Sequence, residues 1–392
     1  MKDILISSFD MEIGGVERSL ISMLDKFDYK NYNVDLMLYS HTGEFMKFIS
    51  NDKYHLLPES KYYKTYRMHI ASIFKNKQMK IGLARLRARF NSKGNGTCQM
   101  QYMWKYTLPY MPKLNKKYDV AISYLWPHYF VSEKVDANTK IAWIHTDYSK
   151  IETNIDMDLE MWNKFDYIVA VSQECKNAFL SKYPSLEEKI IVMENITSPE
   201  FIKKQSLEKI DDFKKEKGLF KLLSVGRFDE AKGFDNAIKA LRILHDRGYK
   251  NIKWYVIGYG RDEELLKNLI KENNLEDSFI LLGKKVNPYP YMKECDLYVQ
   301  PSRYEGKAVT VTEAQILGKV VMITNYKTAN SQLKNGQDGY ITDLSIEGIA
   351  DGIEKLYKDE KLRKRLEENC KNNDYTNKSE LDKLYKIIEM RI

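Results

Sequence analysis

Two series of apolar runs order this chain, each run of strand length and each separated from the next by a segment long enough for a helix. The first series is DILISSF from Asp3, VDLMLYS from Val34, DVAISYLW from Asp119, KIAWIHT from Lys140, YIVAVS from Tyr167 and IIVMEN from Ile190. The second is LFKLLSVGRF from Leu219, KWYVIGYG from Lys253, SFILLG from Ser278, DLYVQPS from Asp296, VVMITNY from Val320 and GYIT from Gly339. The runs lack the polar alternation of half-solvated strands. They predict strands covered on both faces, which means α/β architecture with parallel, doubly wound sheets. Two such Rossmann-like sheets in tandem follow. The polar stretch after Asn195 carries few strand signals, which sets a first domain over residues 1–197 and a second over 198–375. Helical periodicity resumes after a polar break at Asn372, so residues 376–392 predict a last helix that packs back on the first domain.

Length and composition agree with this division. At 392 residues the chain exceeds one ordinary core, and about 150 residues per domain points to two or three. A hydrophobic content of 43% with only nine prolines marks a folded globular chain rather than a disordered or fibrous one. Cys98, Cys175, Cys295 and Cys370 stand singly, without metal-site or disulfide spacing, which implies a reducing, cytosolic setting. The N-terminal run is broken by Asp10 and Glu12 and reads as a buried strand rather than a signal peptide. No run of about 18 apolar residues occurs, so any membrane contact is a surface contact.

Charge changes the picture in one place. The net balance is +8, yet from Ser60 to Tyr118 there is no Asp or Glu and there are fourteen Lys or Arg, which leaves the remainder acidic. Met79, Leu83, Leu86 and Phe90 fall at helical spacing inside this 60–118 segment, with Tyr62, Tyr63, Tyr66, Tyr102, Trp104 and Tyr106 nearby. One reading is a solvated helical face whose apolar stripe joins the core. Another is a face for an anionic membrane or an acceptor phosphate. Nucleic acid is set aside because no recognised binding motif accompanies the charge.

In doubly wound sheets ligands sit beyond the carboxyl ends of the strands, where glycine turns and helix N-termini receive anions. Gly14 and Gly15 follow the first strand and open an amphipathic segment; they form either an anion cradle or a plain tight turn. Arg227 and Lys232 follow the first strand of the second series, a fork and a movable point charge suited to a diphosphate, or else surface charge. The stretch RYEGKAVTVTEAQILGK from Arg303 follows the DLYVQPS strand, which puts Glu305 and Gly306 in a strand-to-helix loop. AVTVTEAQIL then reads as a buried helix ended by Gly318, because tertiary position outweighs the weak helix propensity of V-T-V-T. Glu305 would stand at its mouth and Glu313 about two turns along, with the free amides of Lys307, Ala308 and Val309 turned outward for a phosphate or hydroxyl. D156-M-D158 reads as a helix cap, and I257-G-Y-G260 lacks the third glycine of a dinucleotide fingerprint.

Taken in order, G-G near the N-terminus, G-R-x-x-x-x-K-G opening the second half, and E-x7-E followed by A-x-x-x-G resemble the motifs of retaining glycosyltransferases of family 4. Those enzymes have the GT-B fold, two Rossmann-like domains facing across a cleft. The resemblance covers nearly the whole chain and is nearest to members from bacterial capsule, exopolysaccharide and cell-wall polymer pathways. It implies a UDP-sugar donor held by the second domain, a lipid-linked or polymeric glycan acceptor held by the first, no cofactor and no metal. It also implies a cytoplasmic protein peripherally associated with the inner face of the cell membrane. By the same resemblance Glu305 meets the donor sugar and Glu313 the ribose, Arg227 and Lys232 neutralise the diphosphate, and Gly14 and Gly15 close over the donor phosphate. His145 would lie near the sugar's hydroxymethyl end, and the GKKVNP loop would bind the base through backbone groups of Lys284 and Val286. Lys307 and Ala308 depart from the family pattern, which leaves Lys307 to meet an acidic sugar, the diphosphate or solvent. A non-catalytic GT-B partner of another transferase and a GT-B sugar-nucleotide epimerase are the alternatives.

Overall fold

The computed structural model describes residues 1–49, 52–92, 96–146, 148–213, 218–305 and 307–390; Gly306, named above, and Lys93, one of the fourteen cations of the basic segment, lie outside the described residues. The chain divides into two compact units, one of residues 1–197 together with those from Asn377 on, the other of Ser198–Thr376.

The first unit is built on a parallel sheet of seven strands: β1 Lys2–Ser8, β2 Tyr32–Leu38, β3 His55–Leu56, β4 Lys117–Ser123, β5 Asp136–Ile144, β6 Tyr167–Ala170 and β7 Ile190–Val192. Their order is β3-β2-β1-β4-β5-β6-β7. The second unit has six parallel strands, β8 Phe220–Val225, β9 Ile252–Ile257, β10 Phe279–Gly283, β11 Leu297–Gln300, β12 Val321–Thr324 and β13 Tyr340–Thr342, in the order β10-β9-β8-β11-β12-β13. The apolar runs become these strands because each is buried on both faces. In β8, Leu222 joins one hydrophobic cluster and Leu223 the opposite one, as period-two side-chain alternation requires. Only β3, two residues long and paired to Asp35 and Leu36 of β2, left no apolar run in the sequence.

In each sheet the strand order reverses at one point, between β1 and β4 in the first unit and between β8 and β11 in the second. Loops leaving the carboxyl ends there diverge to opposite faces and open a crevice for a ligand. The helix Lys378–Glu389 belongs to the first unit: Tyr385 stacks on Tyr32 with ring centroids 5.3 Å apart, and Lys2 Nζ donates to the Ile388 carbonyl at 2.7 Å.

The basic segment forms the helices Ile70–Lys75, Met79–Asn91 and Gly96–Thr107. Its apolar stripe does not join the core. Ile81, Ala84 and Ala88 are buried, whereas Met79, Leu83, Leu86 and Phe90 are exposed. The small side chains at 84 and 88 let that face approach the unit closely, and this turns the larger residues outward. The D156-M-D158 reading is also corrected. The cap of the helix Ile155–Trp162 is Asn154, whose side chain accepts from the Met157 amide at 3.0 Å. Asp158 faces inward, where it accepts from Gln101 Nε2 at 2.7 Å and from the Tyr183 hydroxyl.

Candidate functional site

In the second unit the chain leaves β8 through Gly226 and Arg227, makes a 3-10 turn at Glu230–Lys232, and enters the helix Phe234–Asp246 at Gly233. Gly233 has φ +67°, and a Cβ there would stand 2.2 Å from the Pro301 carbonyl oxygen. Glycine is needed on both counts. That close approach brings the loop after β8 against the loop after β11. The Arg303 amide donates to the Ala231 carbonyl at 2.8 Å, and its guanidinium forks onto Asp235 at 2.7 and 2.6 Å. Arg303, which could be taken for a ligand cation, is therefore the clasp between the loops, and it holds the Asp235 carboxyl below the usual carboxylate range against the opposing effect of burial.

With the loops fixed, Lys232 Nζ reaches Glu305 Oε1 at 2.6 Å. The same oxygen accepts from Ser302 Oγ at 2.6 Å and from Gln300 Nε2 at 3.2 Å. Three donors converge on Oε1, and none of the described hydrogen bonds uses Oε2. The Glu305 carboxylate, with a side chain 10% exposed, is thus oriented by one oxygen and open for recognition through the other. Thr328 Oγ1 donates to the Glu305 carbonyl at 2.8 Å and steadies the loop.

V-T-V-T is helical, within Val309–Ile316, because its β-branched side chains have tertiary partners: Val311 is fully buried and Thr310 lies 3.4 Å from Gln300 Oε1. Glu313 is 1% exposed and accepts from the Tyr289 hydroxyl at 2.8 Å. Tyr289 is placed in turn by Asn287, whose Oδ1 accepts from the Tyr289 amide at 3.1 Å. The structure thereby joins the GKKVNP loop to the second glutamate; Lys284 is exposed there, and Val286 is half-buried. One expectation fails. The Ala308 amide is not free, because the buried side chain of Gln332 accepts from it at 2.7 Å. Lys307 is exposed and Val309 half-buried. Arg227 is exposed and has no carboxylate partner among the described residues, so the structure does not tie it to the Lys232–Glu305 cluster. Tyr326 went unnoticed in the sequence. It is 2% exposed, its hydroxyl has no partner among the described residues, and burial first, then the charge of Glu305, push its ionisation up.

In the first unit Gly14 is extended and precedes the helix Gly15–Lys26. A side chain at Gly14 would collide with the Glu17 carboxylate, 2.1 Å away, while Gly15 is open. The Glu17 carboxylate thus folds back over Gly14 at the start of its own helix. Burial raises the Glu17 pKa to about 7, against the pull of its own backbone amide and with a smaller push from the charge of Asp10. Asp10, 1% exposed, is itself paired with Arg67.

His145 follows β5. Its Nε2 lies 2.9 Å from the Tyr124 carbonyl oxygen, which can only accept, so Nε2 carries the proton and Nδ1 is a bare acceptor. Nδ1 is buried and has no hydrogen-bond partner among the described residues. Burial lowers the His145 pKa to about 4, which keeps the ring neutral. Around it lies a network that sequence reasoning missed. Ser19 Oγ donates to Asn195 Oδ1 at 2.9 Å and lies 2.7 Å from the Tyr124 hydroxyl, while His128 Nδ1 is 2.8 Å from Ser123 Oγ. His128 is driven by burial to about 3. Tyr124 and His128 follow β4 as His145 follows β5, so position past a strand end was the available signal. Gly14, Gly15 and His145 thus lie in one unit, and Arg227, Lys232, Lys284, Val286, Glu305, Lys307, Ala308, Val309 and Glu313 in the other.

Residues 205–373, within the second unit, match the family described as "Glycosyl transferases group 1". Across 54% of this chain and 56% of the relative, the sequence is 28% identical to the N-acetylgalactosamine-N,N'-diacetylbacillosaminyl-diphospho-undecaprenol 4-alpha-N-acetylgalactosaminyltransferase of Campylobacter jejuni. It is 29% identical to the capsular polysaccharide biosynthesis glycosyltransferase CapM of Staphylococcus aureus, over 52% of this chain and 55% of that one. The chain spans about half the length of the curated relatives it matches. Among solved structures, Anabaena HepE in complex with UDP and glucose superposes with a TM-score of 0.65 at 16% identity, covering 99% of each chain. That likeness shows the fold, which is GT-B.

Proposed function

We propose that the protein is a retaining, family 4 glycosyltransferase. It moves a sugar from a UDP-linked donor to a lipid-linked or polymeric glycan acceptor, in the making of a bacterial surface polysaccharide or cell-wall polymer. The observation that carries the reading is the Glu305 carboxylate, held through Oε1 by Lys232, Ser302 and Gln300 with Oε2 left over. An ion pair at a strand-order reversal, oriented but incompletely satisfied, suits a ligand with a hydroxylated ring and an adjoining diphosphate. Support for the donor comes from HepE, solved with UDP and glucose, and support for the acceptor from the Campylobacter relative, whose name specifies a diphospho-undecaprenol glycan.

In this reading Glu305 Oε2 accepts a hydrogen bond from the donor sugar, and Glu313, oriented by Tyr289, accepts from the ribose. Lys232 and Arg227 stabilise the departing diphosphate. The bond between the anomeric carbon and the phosphate oxygen breaks, and the acceptor oxygen bonds to that carbon from the same face. Its proton passes to the phosphate oxygen just released. Retention then needs no side-chain base and no metal, since positioning and electrostatics supply the rate. His145 Nδ1 accepts from a sugar hydroxyl.

The test is a thermal-shift panel of nucleoside diphosphates and UDP-sugars, followed by transfer to a polyprenyl diphosphate-linked acceptor with and without EDTA, and determination of the product anomer. A UDP-dependent shift, an EDTA-insensitive rate and a retained anomer are expected. Binding without turnover would mark a non-catalytic partner, and an isomerised donor an epimerase.

A further inference from the structure

We infer that the outer face of the helix Met79–Asn91 is a docking surface for an anionic lipid bilayer. The inference goes beyond the transferase reading and stands without it. Single exposed apolar residues are ordinary on a protein surface, whereas a contiguous row of large ones marks an interaction site. Here Met79, Leu83, Leu86 and Phe90 are 55%, 58%, 45% and 86% exposed on one helix of 13 residues. At about 100° per residue they fall within roughly 60° of one another, directly opposite Ile81, Ala84 and Ala88, which bury against the unit. The helix therefore has two apolar faces, and the protein covers only one.

Charge identifies the occupant. Lys80 and Arg87 flank the exposed row on one side and Arg89 on the other, and none of the three has a carboxylate partner among the described residues. Tyr110, 43% exposed, extends the row: Lys80 Nζ lies 5.9 Å from its ring centroid. The helix is fixed from below, where Arg85 donates to the carbonyls of Thr65 at 2.5 Å and Met68 at 2.7 Å. An apolar ridge bordered by cations on a rigid support is the pattern of a helix lying in a membrane interface, with aliphatic and aromatic side chains among the acyl chains and Lys and Arg at the phosphates. A second copy of the chain fits less well, because a two-fold pairing of this face would set its cations against each other. No helix among the described residues is long and apolar enough to cross a membrane, so the contact is with one leaflet.

The experiment is co-sedimentation of the full chain with vesicles of phosphatidylcholine alone or with about one third phosphatidylglycerol. The chain carries either Leu83→Ser, Leu86→Ser and Phe90→Ser together, or Lys80→Gln, Arg87→Gln and Arg89→Gln together. The unaltered protein should bind the anionic vesicles and not the neutral ones, and each triple variant should bind at least about tenfold more weakly. Both sets lie on an exposed face, so an unchanged melting temperature and circular dichroism spectrum should accompany the loss. Failure of the unaltered protein to bind anionic vesicles would overturn the inference, as would retention by either variant. So would a lipid-free dimer that the apolar triple variant splits, which would assign the face to a second copy.

Discussion

The two units share a topology and differ in electrostatics at the corresponding place. Where the strand order reverses in the second unit, charged groups are set against each other: Lys232 on Glu305, Arg303 on Asp235, and Arg227 exposed beside them in sequence. At the reversal in the first unit one ion pair, Asp10 with Arg67, is present, but three buried titratable groups are driven toward neutrality, with Glu17 raised to about 7, His145 lowered to about 4 and His128 to about 3. Burial is the largest cause of all three of the latter shifts, and at Glu17 the opposing charge of Arg67 offsets it only in part. A parallel doubly wound sheet thus supplies a crevice without fixing its charge. The side chains that follow the strands decide whether the crevice suits an anion or uncharged hydroxyls.

The difference can be broken most sharply in the second unit. Glu305→Ala, Lys232→Ala and Arg227→Ala should each lower the transfer rate by about 100-fold or more, measured as sugar incorporated from the best UDP-sugar. Near-normal turnover in all three would remove the charged crevice from the chemistry. In the first unit a neutral contact should cost less. His145→Ala should lower kcat/KM by roughly tenfold, the worth of one hydrogen bond. The rate should also show no inflection from this residue between about pH 5 and 8, because its folded pKa lies below that window. An inflection near pH 6.5 that the alanine variant abolishes would mean the ring is not held neutral.

Tyr289→Phe leaves Glu313 in place and removes the hydroxyl that donates to it. It should raise the donor KM by about fivefold with kcat little changed. The smallest effect concerns stability. Glu17 has a folded pKa above its unfolded value of 4.5, so the folded state holds the extra proton between the two. Its contribution is complete below about pH 4.5 and is lost as pH rises through about 7. The two histidines act oppositely, with stability lost as pH falls below 6.5, but they cancel when Glu17→Gln is compared with the unaltered chain. That variant should melt about 2 °C or more higher at pH 8, with the gap closing toward pH 4.5. A constant gap would show that Glu17 is not neutral at the helix mouth.

Much of this was legible in the sequence, for physical reasons. Twelve of the strands announced themselves because strands buried on both faces cannot carry polar alternation. The Glu305 loop could be placed because it follows such a strand. Three things were hidden. Periodicity shows that Met79, Leu83, Leu86 and Phe90 share a face but not which way it points; the small residues opposite were the overlooked clue. The Ala308 amide was expected to be free because its acceptor, Gln332, lies 24 residues further on and outside any motif. The Tyr124, Ser19 and Asn195 network joins residues from three distant segments, a contact that local pattern does not report.

Asn377 Oδ1 accepts from the Thr197 amide at 3.0 Å, and its Nδ2 donates to the Asn195 carbonyl at 2.6 Å. One side chain thus ties together the point where the chain leaves the first unit and the point where it returns. The second unit is in effect a cassette inserted through a narrow neck. Residues 198–376 can therefore be excised as one piece, and the gap in the first unit closed with a linker of only a few residues. Cassettes from other chains could be spliced at the same neck without breaking a strand of either sheet.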